Sequence, residues 1–308
     1  MASTPYRYQS SDEDSARWRG FPFRDGDIVI STRSKTGTTW MQTICALLIF
    51  QTPDFPAPIA QLSLWLDHTI APRDEVFAEL AAQQHRRFIK THTPLDGIPL
   101  DPRATYLVTV RHPLDAAVSL YHQGDNFDRA KIRALTGEPE PAGPRPPRNP
   151  PRKPLHDWLL AYINGEPPWP VRSDPREDLD SLPGLMWHFS DAWARRHEPH
   201  VMLVHYDNLS ADLAGQMRRI ADRLGVDVPE QAWPALVQAA TFEAMKGSAD
   251  RLVPTAGIFK SNAAFFRRGT SGAGREVLSD EEIAAYHARV AQLAPPDMLT
   301  WLHAPGVL

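Results

Sequence analysis

Four short apolar runs constrain the fold of this 308-residue chain more than any other feature of its sequence. They span residues 27–32, 87–91, 105–110 and 201–206, and their apolar residues run on largely without alternation. Such runs are typical of parallel strands that are buried on both faces of a sheet. Because parallel neighbours need crossover connections, usually helices, we predict a three-layer α/β fold with a central parallel sheet and helices on both faces.

Helical spacing between these runs supports the same fold. After the fourth run, Leu213, Met217, Ile220 and Leu224 recur on one helical face, and Gly225 ends the pattern. We predict one domain over residues 1–308, with a polar, flexible N-terminus at 1–20. Residues 138–154 are rich in proline and predict an extended loop, either a mobile lip over the acceptor entrance or a solvated linker without contacts.

Charge and composition exclude several partners. A formal net charge of −4 provides no basic field for nucleic acid. The lone cysteine, Cys45, allows no internal disulfide, and we expect a cytoplasmic protein. No apolar run approaches the roughly 20 residues that span a bilayer, so we predict no integral membrane segment.

The segment after the first run has the parts of an anion-binding loop. It reads Ser34-Lys35-Thr36-Gly37-Thr38-Thr39-Trp40 and leads from a strand into a helix. Backbone N–H groups, the positive end of a helix, hydroxyls and one ammonium would converge on a phosphate. In a Walker A loop the lysine follows the glycine, whereas Lys35 precedes Gly37, which argues against a nucleoside triphosphatase. Arg111 ends the third run, and Ser119 lies eight residues later on a predicted helix, where both suit a second phosphate.

Five segments, in order along the chain, resemble the cytosolic-type sulfotransferases that use 3′-phosphoadenosine 5′-phosphosulfate (PAPS). They are SKTGTTW, FIKTHTP, TVRHPLDAAVSLYH, HYDNL and FFRRGTSG. Within this family, the sequence around AQQHRRFIKTHTPLDG most resembles actinobacterial members known as glycolipid sulfotransferases. The resemblance implies a P-loop-NTPase-like sulfotransferase fold, PAPS as donor and adenosine 3′,5′-bisphosphate (PAP) as product. It also implies a small-molecule or glycolipid acceptor, and a lipid acceptor would allow peripheral contact with a membrane.

The resemblance also assigns residues to the donor. Three groups would hold the 5′-phosphosulfate, the 3′-phosphate and the adenosine. In that order they are Lys35, Thr36, Gly37, Thr38 and Thr39; Arg111, Ser119, Arg267, Arg268 and Gly269; and Trp40, Tyr206, Thr241, Phe242 and Phe265.

The chain departs from the family at several positions. Arg33 and Ser34 stand where the family usually has tyrosine and proline, and Thr36 replaces the usual serine.

The resemblance, together with the chemistry of sulfuryl transfer, implies three catalytic residues: His92, Lys35 and Lys90. Charge develops on the equatorial oxygens and the leaving oxygen, so positioned cations and one base do most of the work, as in phosphoryl transfer. His92 suits the general base, Lys35 the leaving phosphate, and Lys90 shares a strand face with His92 two residues later. The histidines lack HxxxH or HExxH spacing, so we predict no metal.

Two other functions stay open at this stage. One is a nucleotide-dependent kinase on a related fold, and the other is a nucleotide-binding protein without turnover. The sequence does not identify the acceptor. Aromatic candidates for its pocket are Trp65, Tyr121, Phe127, Trp158 and Trp187.

Overall fold

The computed structural model describes residues 4–136, 152–169, 172–253 and 257–304. Its centre, within these ranges, is a sheet of four parallel strands in the order β2-β1-β3-β4. The strands are β1 (Ile28–Thr32), β2 (Phe88–Thr91), β3 (Thr105–Val110) and β4 (Val201–His205). All four predicted strands are therefore present, and β3 has the predicted bounds.

Alternate residues of each strand enter two separate hydrophobic cores. In β1, Ile28 and Ile30 pack into one core, whereas Val29 packs into the other. In β3, Leu107 and Val108 divide in the same way. Because both faces of the sheet are covered, nearly every strand position is buried, which explains the largely continuous apolar runs. The predicted three-layer α/β fold is confirmed.

Helices cover the two faces. The core around Val29 receives apolar side chains from α3, α4, α6, α7, α13 and α14, and the core around Ile28 receives them from α1, α2 and α8 to α12. The helices are α1 (Thr38–Phe50), α2 (Ile59–Leu62), α3 (Arg73–Ala82), α4 (Pro113–Asn126), α5 (Arg129–Thr136), α6 (Leu155–Asn164), α7 (Leu182–Ala194), α8 (Tyr206–Ala211), α9 (Leu213–Leu224), α10 (Trp233–Ala239), α11 (Phe242–Gly247), α12 (Ala249–Leu252), α13 (Asp280–Val290) and α14 (Pro296–His303). Short 3₁₀ helices span Ser15–Trp18, Leu95–Gly97, Pro175–Glu177, Glu230–Ala232 and Ala263–Phe265.

The helix α9 has the predicted amphipathic character. Met217, Ile220 and Leu224 are buried in the core that it covers. Gly225 ends the helix with a φ of 61°, and its N–H donates to the Ala221 carbonyl. A left-handed residue at this position favours glycine, so the sequence alone locates this helix end.

The N-terminal segment differs from the flexible tail that the sequence predicts. Tyr8 is 5% exposed, Trp18 is fully buried, and the Tyr8 hydroxyl donates to Asp96 at 2.7 Å. A bridge between Glu13 and His68 fastens the segment further. These contacts are tertiary, so the polar local sequence does not reveal them.

The proline-rich loop predicted at 138–154 lies almost wholly outside the described residues. Of its basic residues, Arg152 and Lys153 are described, and the Lys153 carbonyl accepts a hydrogen bond from the Tyr121 hydroxyl, whereas Arg152 contacts Tyr121 through its side chain. The Arg152 guanidinium lies 3.5 Å from the ring centroid of Tyr121 and pairs with Asp125 on α4.

The single domain over 1–308 stays a prediction. Among the described residues, no helix is long and apolar enough to cross a bilayer.

Candidate active site

A cavity of about 1000 Å³ opens at the carboxyl ends of the four strands. Residues that directly follow β1, β2, β3 and β4 line it, as expected for ligand sites in open α/β sheets. Fifteen of the seventeen predicted site residues line this cavity: Lys35, Gly37, Thr38, Thr39, Trp40, Lys90, His92, Arg111, Ser119, Tyr206, Phe242, Phe265, Arg267, Arg268 and Gly269.

The loop between β1 and α1 turns sharply through two left-handed residues. Lys35 has a φ of 69° and Gly37 a φ of 115°. A Cβ at Gly37 would also lie 3.2 Å from the Tyr206 ring, so glycine suits both the turn and the packing. No side chain caps the N-terminus of α1 at Gly37. The first N–H groups of α1 therefore remain available to an anion in the cavity.

Thr36 is one of the two predicted residues that do not line the cavity. Its hydroxyl donates to the Arg33 carbonyl at 2.8 Å, and the residue is fully buried. The side chain therefore closes the loop from inside and does not face a ligand. That Thr36 helps to hold the phosphosulfate stays a prediction.

Three cations converge on the loop. Arg111, 8% exposed, donates from Nη1 to the Lys35 carbonyl at 3.2 Å and from Nη2 to the Thr270 carbonyl at 3.3 Å. Its Nε is buried without a hydrogen-bond partner among the described residues. Burial, and then the charges of Arg111 and Arg267, lower the pKa of Lys35 to about 7. An anionic ligand would relieve this repulsion and satisfy the unpaired donor.

The loop that contains Arg267, Arg268 and Gly269 lines the same cavity. Burial, with Arg268 and Arg111 nearby, lowers the pKa of Arg267. Gly269 has a φ of 70°, and a Cβ there would lie 2.3 Å from the Phe242 ring. Arg268 instead forms a bidentate ion pair with Glu276, with both N–O distances at 2.5 Å. Arg268 therefore lines the cavity as a cation that is already paired with a carboxylate.

Aromatic side chains line the end of the cavity near α1. The ring centroids of Trp40 and Tyr206 lie 5.0 Å apart, and Trp40 Nε1 donates to the Ala240 carbonyl at 2.9 Å. Phe265 lies 4.2 Å from Lys35 Nζ. Thr241, the other predicted residue outside the cavity lining, caps α11 with its hydroxyl. The aromatic surface suits a purine, but the Thr241 hydroxyl serves the helix.

His92 follows β2 and is 6% exposed. Its Nδ1 contacts the Thr32 carbonyl oxygen, which accepts hydrogen bonds only. Nδ1 must therefore carry the proton, which leaves the lone pair on Nε2. Burial, followed by the charges of Lys90 and Arg33, lowers the pKa of His92 well below its ordinary value of 6.5. The imidazole is thus neutral at physiological pH and able to accept a proton.

Lys90 and His92 both contact Trp65, which is one of the predicted acceptor aromatics. Lys90 Nζ lies 3.6 Å from the Trp65 ring centroid, and the His92 ring meets Trp65 edge-on at 4.7 Å. The His68 ring lies 4.2 Å from Trp65. Of the other aromatic candidates, Phe127 also lines the cavity, while Tyr121, Trp158 and Trp187 do not.

Sequence reasoning missed several stretches of the lining, and two of them are polar. Residues 9–13 of the N-terminal segment and residues 176–180 before α7 form walls near Trp65 and His92. Both stretches are polar and carry no motif, and only their tertiary contacts bring them to the cavity. Within the described ranges, no group of three His, Cys, Asp or Glu side chains is arranged to hold a metal ion. A metal-free reaction stays a prediction.

Comparison with known proteins connects this cavity to one family. Residues 25–294 match the family model described as the sulfotransferase domain. A glycolipid sulfotransferase of Mycobacterium bovis is 41% identical over 307 residues, which cover 96% of this chain and 93% of that protein. Bovine sulfotransferase 1A1 is 25% identical over 277 residues, or 86% of this chain and 82% of that protein.

Solved structures show the same fold. Mouse sulfotransferase SULT7A1, complexed with PAP, covers 94% of this chain and 92% of its own with a TM-score of 0.66 and 18% identity. Retinol dehydratase, in complex with androsterone and the inactive cofactor PAP, covers 92% of this chain and 86% of its own with a TM-score of 0.64 and 20% identity. At these identities the similarity establishes the fold alone.

Proposed function

This chain belongs to the sulfotransferase domain family, and from that membership we propose that it transfers a sulfuryl group from PAPS to an acceptor hydroxyl. One observation carries the assignment of roles. A cationic loop at a helix N-terminus and a neutral histidine line the same cavity, so an anionic donor and a proton acceptor meet there.

The residues present fit a donor with phosphate groups at two positions. Lys35, Gly37 and the first turn of α1 would hold the 5′-phosphosulfate, and Arg111, Ser119, Arg267 and Gly269 the 3′-phosphate. Trp40, Tyr206, Phe242 and Phe265 would flank the adenine. Thr38 and Thr39 line the same turn, and Thr38 shares a hydrogen bond of 2.6 Å with Thr32. Thr36 and Thr241 support this site through the backbone and a helix cap.

Side chains of the protein accept the proton and stabilise the charge that develops during the reaction. Nε2 of His92 takes the proton from the acceptor hydroxyl, and the Thr32 carbonyl keeps the opposite ring nitrogen protonated. Lys35 offers an ammonium to the oxygen that leaves with the phosphate. Lys90, over Trp65, places a second positive charge beside the base. The bound donor supplies the sulfuryl group.

We propose a small-molecule or glycolipid acceptor, supported by the 41% identity to proteins named glycolipid sulfotransferases. The wall containing Trp65, Ile70, Ala71 and Val76 has the mainly apolar character of small-molecule pockets. Peripheral contact with a membrane and a cytoplasmic location belong to the same proposal. The identity of the acceptor is best approached by a screen with labelled PAPS across phenols, steroids, sugars and glycolipids.

A thermal-shift experiment tests the donor assignment against a kinase. Ligand at 100 times its Kd stabilises a protein by about 2.7 kcal/mol. We expect PAP to raise the Tm, and ATP with magnesium to have a much smaller effect. Stabilisation by ATP with magnesium and none by PAP would contradict the proposal. A protein that binds PAP but sulfates no acceptor in the screen would support the alternative without turnover.

Replacing Arg111 is expected to remove recognition of the 3′-phosphate. Charge-assisted hydrogen bonds contribute about 1.5–3 kcal/mol, so Arg111→Ala should weaken PAP binding about tenfold or more. Binding of adenosine 5′-phosphate should change little, since it lacks the 3′-phosphate. Calorimetric titration of both ligands measures the difference. Arg218→Ala is a matched control, because Arg218 pairs with Glu230 outside the cavity lining. Equal losses for both ligands would show that Arg111 acts through folding.

A further inference from the structure

Arg33 is a buried arginine between the anion-binding loop and the base. It directly follows β1, and its side chain is 6% exposed. A buried charge is costly unless it is paired and hydrogen-bonded, so its partners indicate its role.

The guanidinium joins three separate segments. Nη1 donates to the His92 carbonyl at 2.8 Å and lies 3.6 Å from Glu13 Oε2. Nη2 donates to Asp180 Oδ1 at 2.5 Å. Glu13 belongs to the N-terminal wall of the cavity, and Asp180 belongs to the wall before α7. The Arg33 side chain therefore connects both walls of the cavity to His92.

Arg33 and its predecessor hold His92 at two points. The Thr32 carbonyl accepts from His92 Nδ1, and the Arg33 side chain donates to the His92 carbonyl. The Arg33 carbonyl also accepts from the Thr36 hydroxyl inside the anion-binding loop. A rigid arginine fork can satisfy several acceptors in fixed directions, which lysine cannot do. The base and the loop that carries Lys35 are thus built on the same two residues.

We propose that Arg33 is a positioning residue, which fixes His92 against the anion-binding loop and links it to the walls of the acceptor site. The proposal rests on the proposed function, because it assumes that His92 is the base. On this proposal Arg33 acts through His92 and the walls, and not on a reacting atom. Its effect should appear in turnover and in the pH profile, with little change in donor affinity.

The first test compares Arg33→Met with Arg33→Lys. Arg33→Met should lower kcat on an alkyl alcohol about tenfold or more, with Kd for PAP within about twofold of the parental value. Arg33→Lys keeps the charge but not the fork, so it should recover part of the loss. An acidic phenol, which is already ionised, should be affected less than the alkyl alcohol. Parental kcat in both variants would overturn the proposal.

The pH profile separates positioning from a general loss of structure. The charged and titratable groups that lower the pKa of His92 are Lys90 on its own strand, Arg33, and His188 on α7. Because a positive charge disfavours the imidazolium, removing Arg33 should raise the pKa of His92. The base works only when it is neutral, so the acid limb of kcat should move to higher pH in Arg33→Met and stay in place in Arg33→Lys. An unmoved limb in Arg33→Met would contradict the proposal.

A double-mutant cycle with His92→Ala distinguishes this inference from the proposed function. If Arg33 acts through His92, Arg33→Met should cost little more once His92 is absent. An equal additional loss in that background would overturn the positioning role. If His92→Ala alone keeps parental turnover, the assignment of the base fails instead. Should Arg33→Met not fold, Asp180→Asn weakens one partner of the guanidinium and is expected to lower kcat in the same direction, and its parental kcat would count against the proposal.

Discussion

His92→Ala is expected to lower kcat on an alkyl alcohol at least about 100-fold, because general bases typically contribute about 10²–10⁴-fold. Binding of PAP should stay close to the parental value, since the cationic groups that face the donor are intact. An acidic phenol should lose much less turnover, because its proton has already left. Steady-state kinetics with both acceptors, together with calorimetric titration of PAP, measures these effects.

His92→Asn is the matched control for this experiment. An asparagine amide can replace the hydrogen bond to the Thr32 carbonyl but offers no basic nitrogen. If His92 acts as a base, His92→Asn should be as impaired as His92→Ala. If asparagine restores turnover, His92 is structural and the base lies elsewhere. In the parental protein, kcat should fall as pH falls through a pKa below the ordinary histidine value, because the charged imidazole cannot accept a proton.

Lys35→Met is expected to lower kcat about 10²–10³-fold, the usual cost of removing one group that stabilises charge in a transition state. It should also weaken PAP binding about tenfold or more, since a charge-assisted contact is lost. Lys35 has a left-handed φ. Methionine and arginine, like lysine, are not β-branched, so the conformational strain at this position should be similar in Lys35→Met and in the control variant Lys35→Arg. Lys35→Arg keeps the charge and is the matched control, with PAP binding expected near the parental value.

The pH dependence of PAP binding tests the same lysine independently. In the free protein the pKa of Lys35 is about 7, and a bound anion should raise it. The contribution of Lys35 is therefore fully present below about pH 7 and is lost as pH rises through the pKa of the bound state. The affinity should fall by up to about tenfold per pH unit above pH 7. Lys35→Arg should abolish this slope, and an unchanged slope would show that another group titrates.

Sequence reasoning predicted the sheet and most of the residues that line the cavity, for a clear physical reason. Strands buried on both faces are mainly apolar without alternation, so β1, β3 and β4 are visible in the chain itself. The loop before α1 is equally local, because a strand, a sharp turn and a helix start lie within a few residues. Parallel strands then place Arg111, Tyr206 and His92 at one edge without further information.

The functions of individual hydroxyls were not visible in the same way. Thr36 and Thr241 have suitable chemistry and position, yet their hydroxyls serve the Arg33 carbonyl and a helix cap. Whether a threonine faces a ligand or its own backbone depends on a side-chain torsion, which local competition for hydrogen bonds decides.

By itself, the sequence determined the α/β architecture, the anion-binding loop and the histidine at the end of β2. Only the tertiary structure decided that the N-terminal segment packs beside that histidine, and that Arg33 links Glu13, His92 and Asp180. The three partners lie 20, 59 and 147 residues from Arg33 along the chain. Contacts over such separations depend on how the helices and the sheet pack together. Strand burial and turn geometry depend instead on residues that are close together in the sequence.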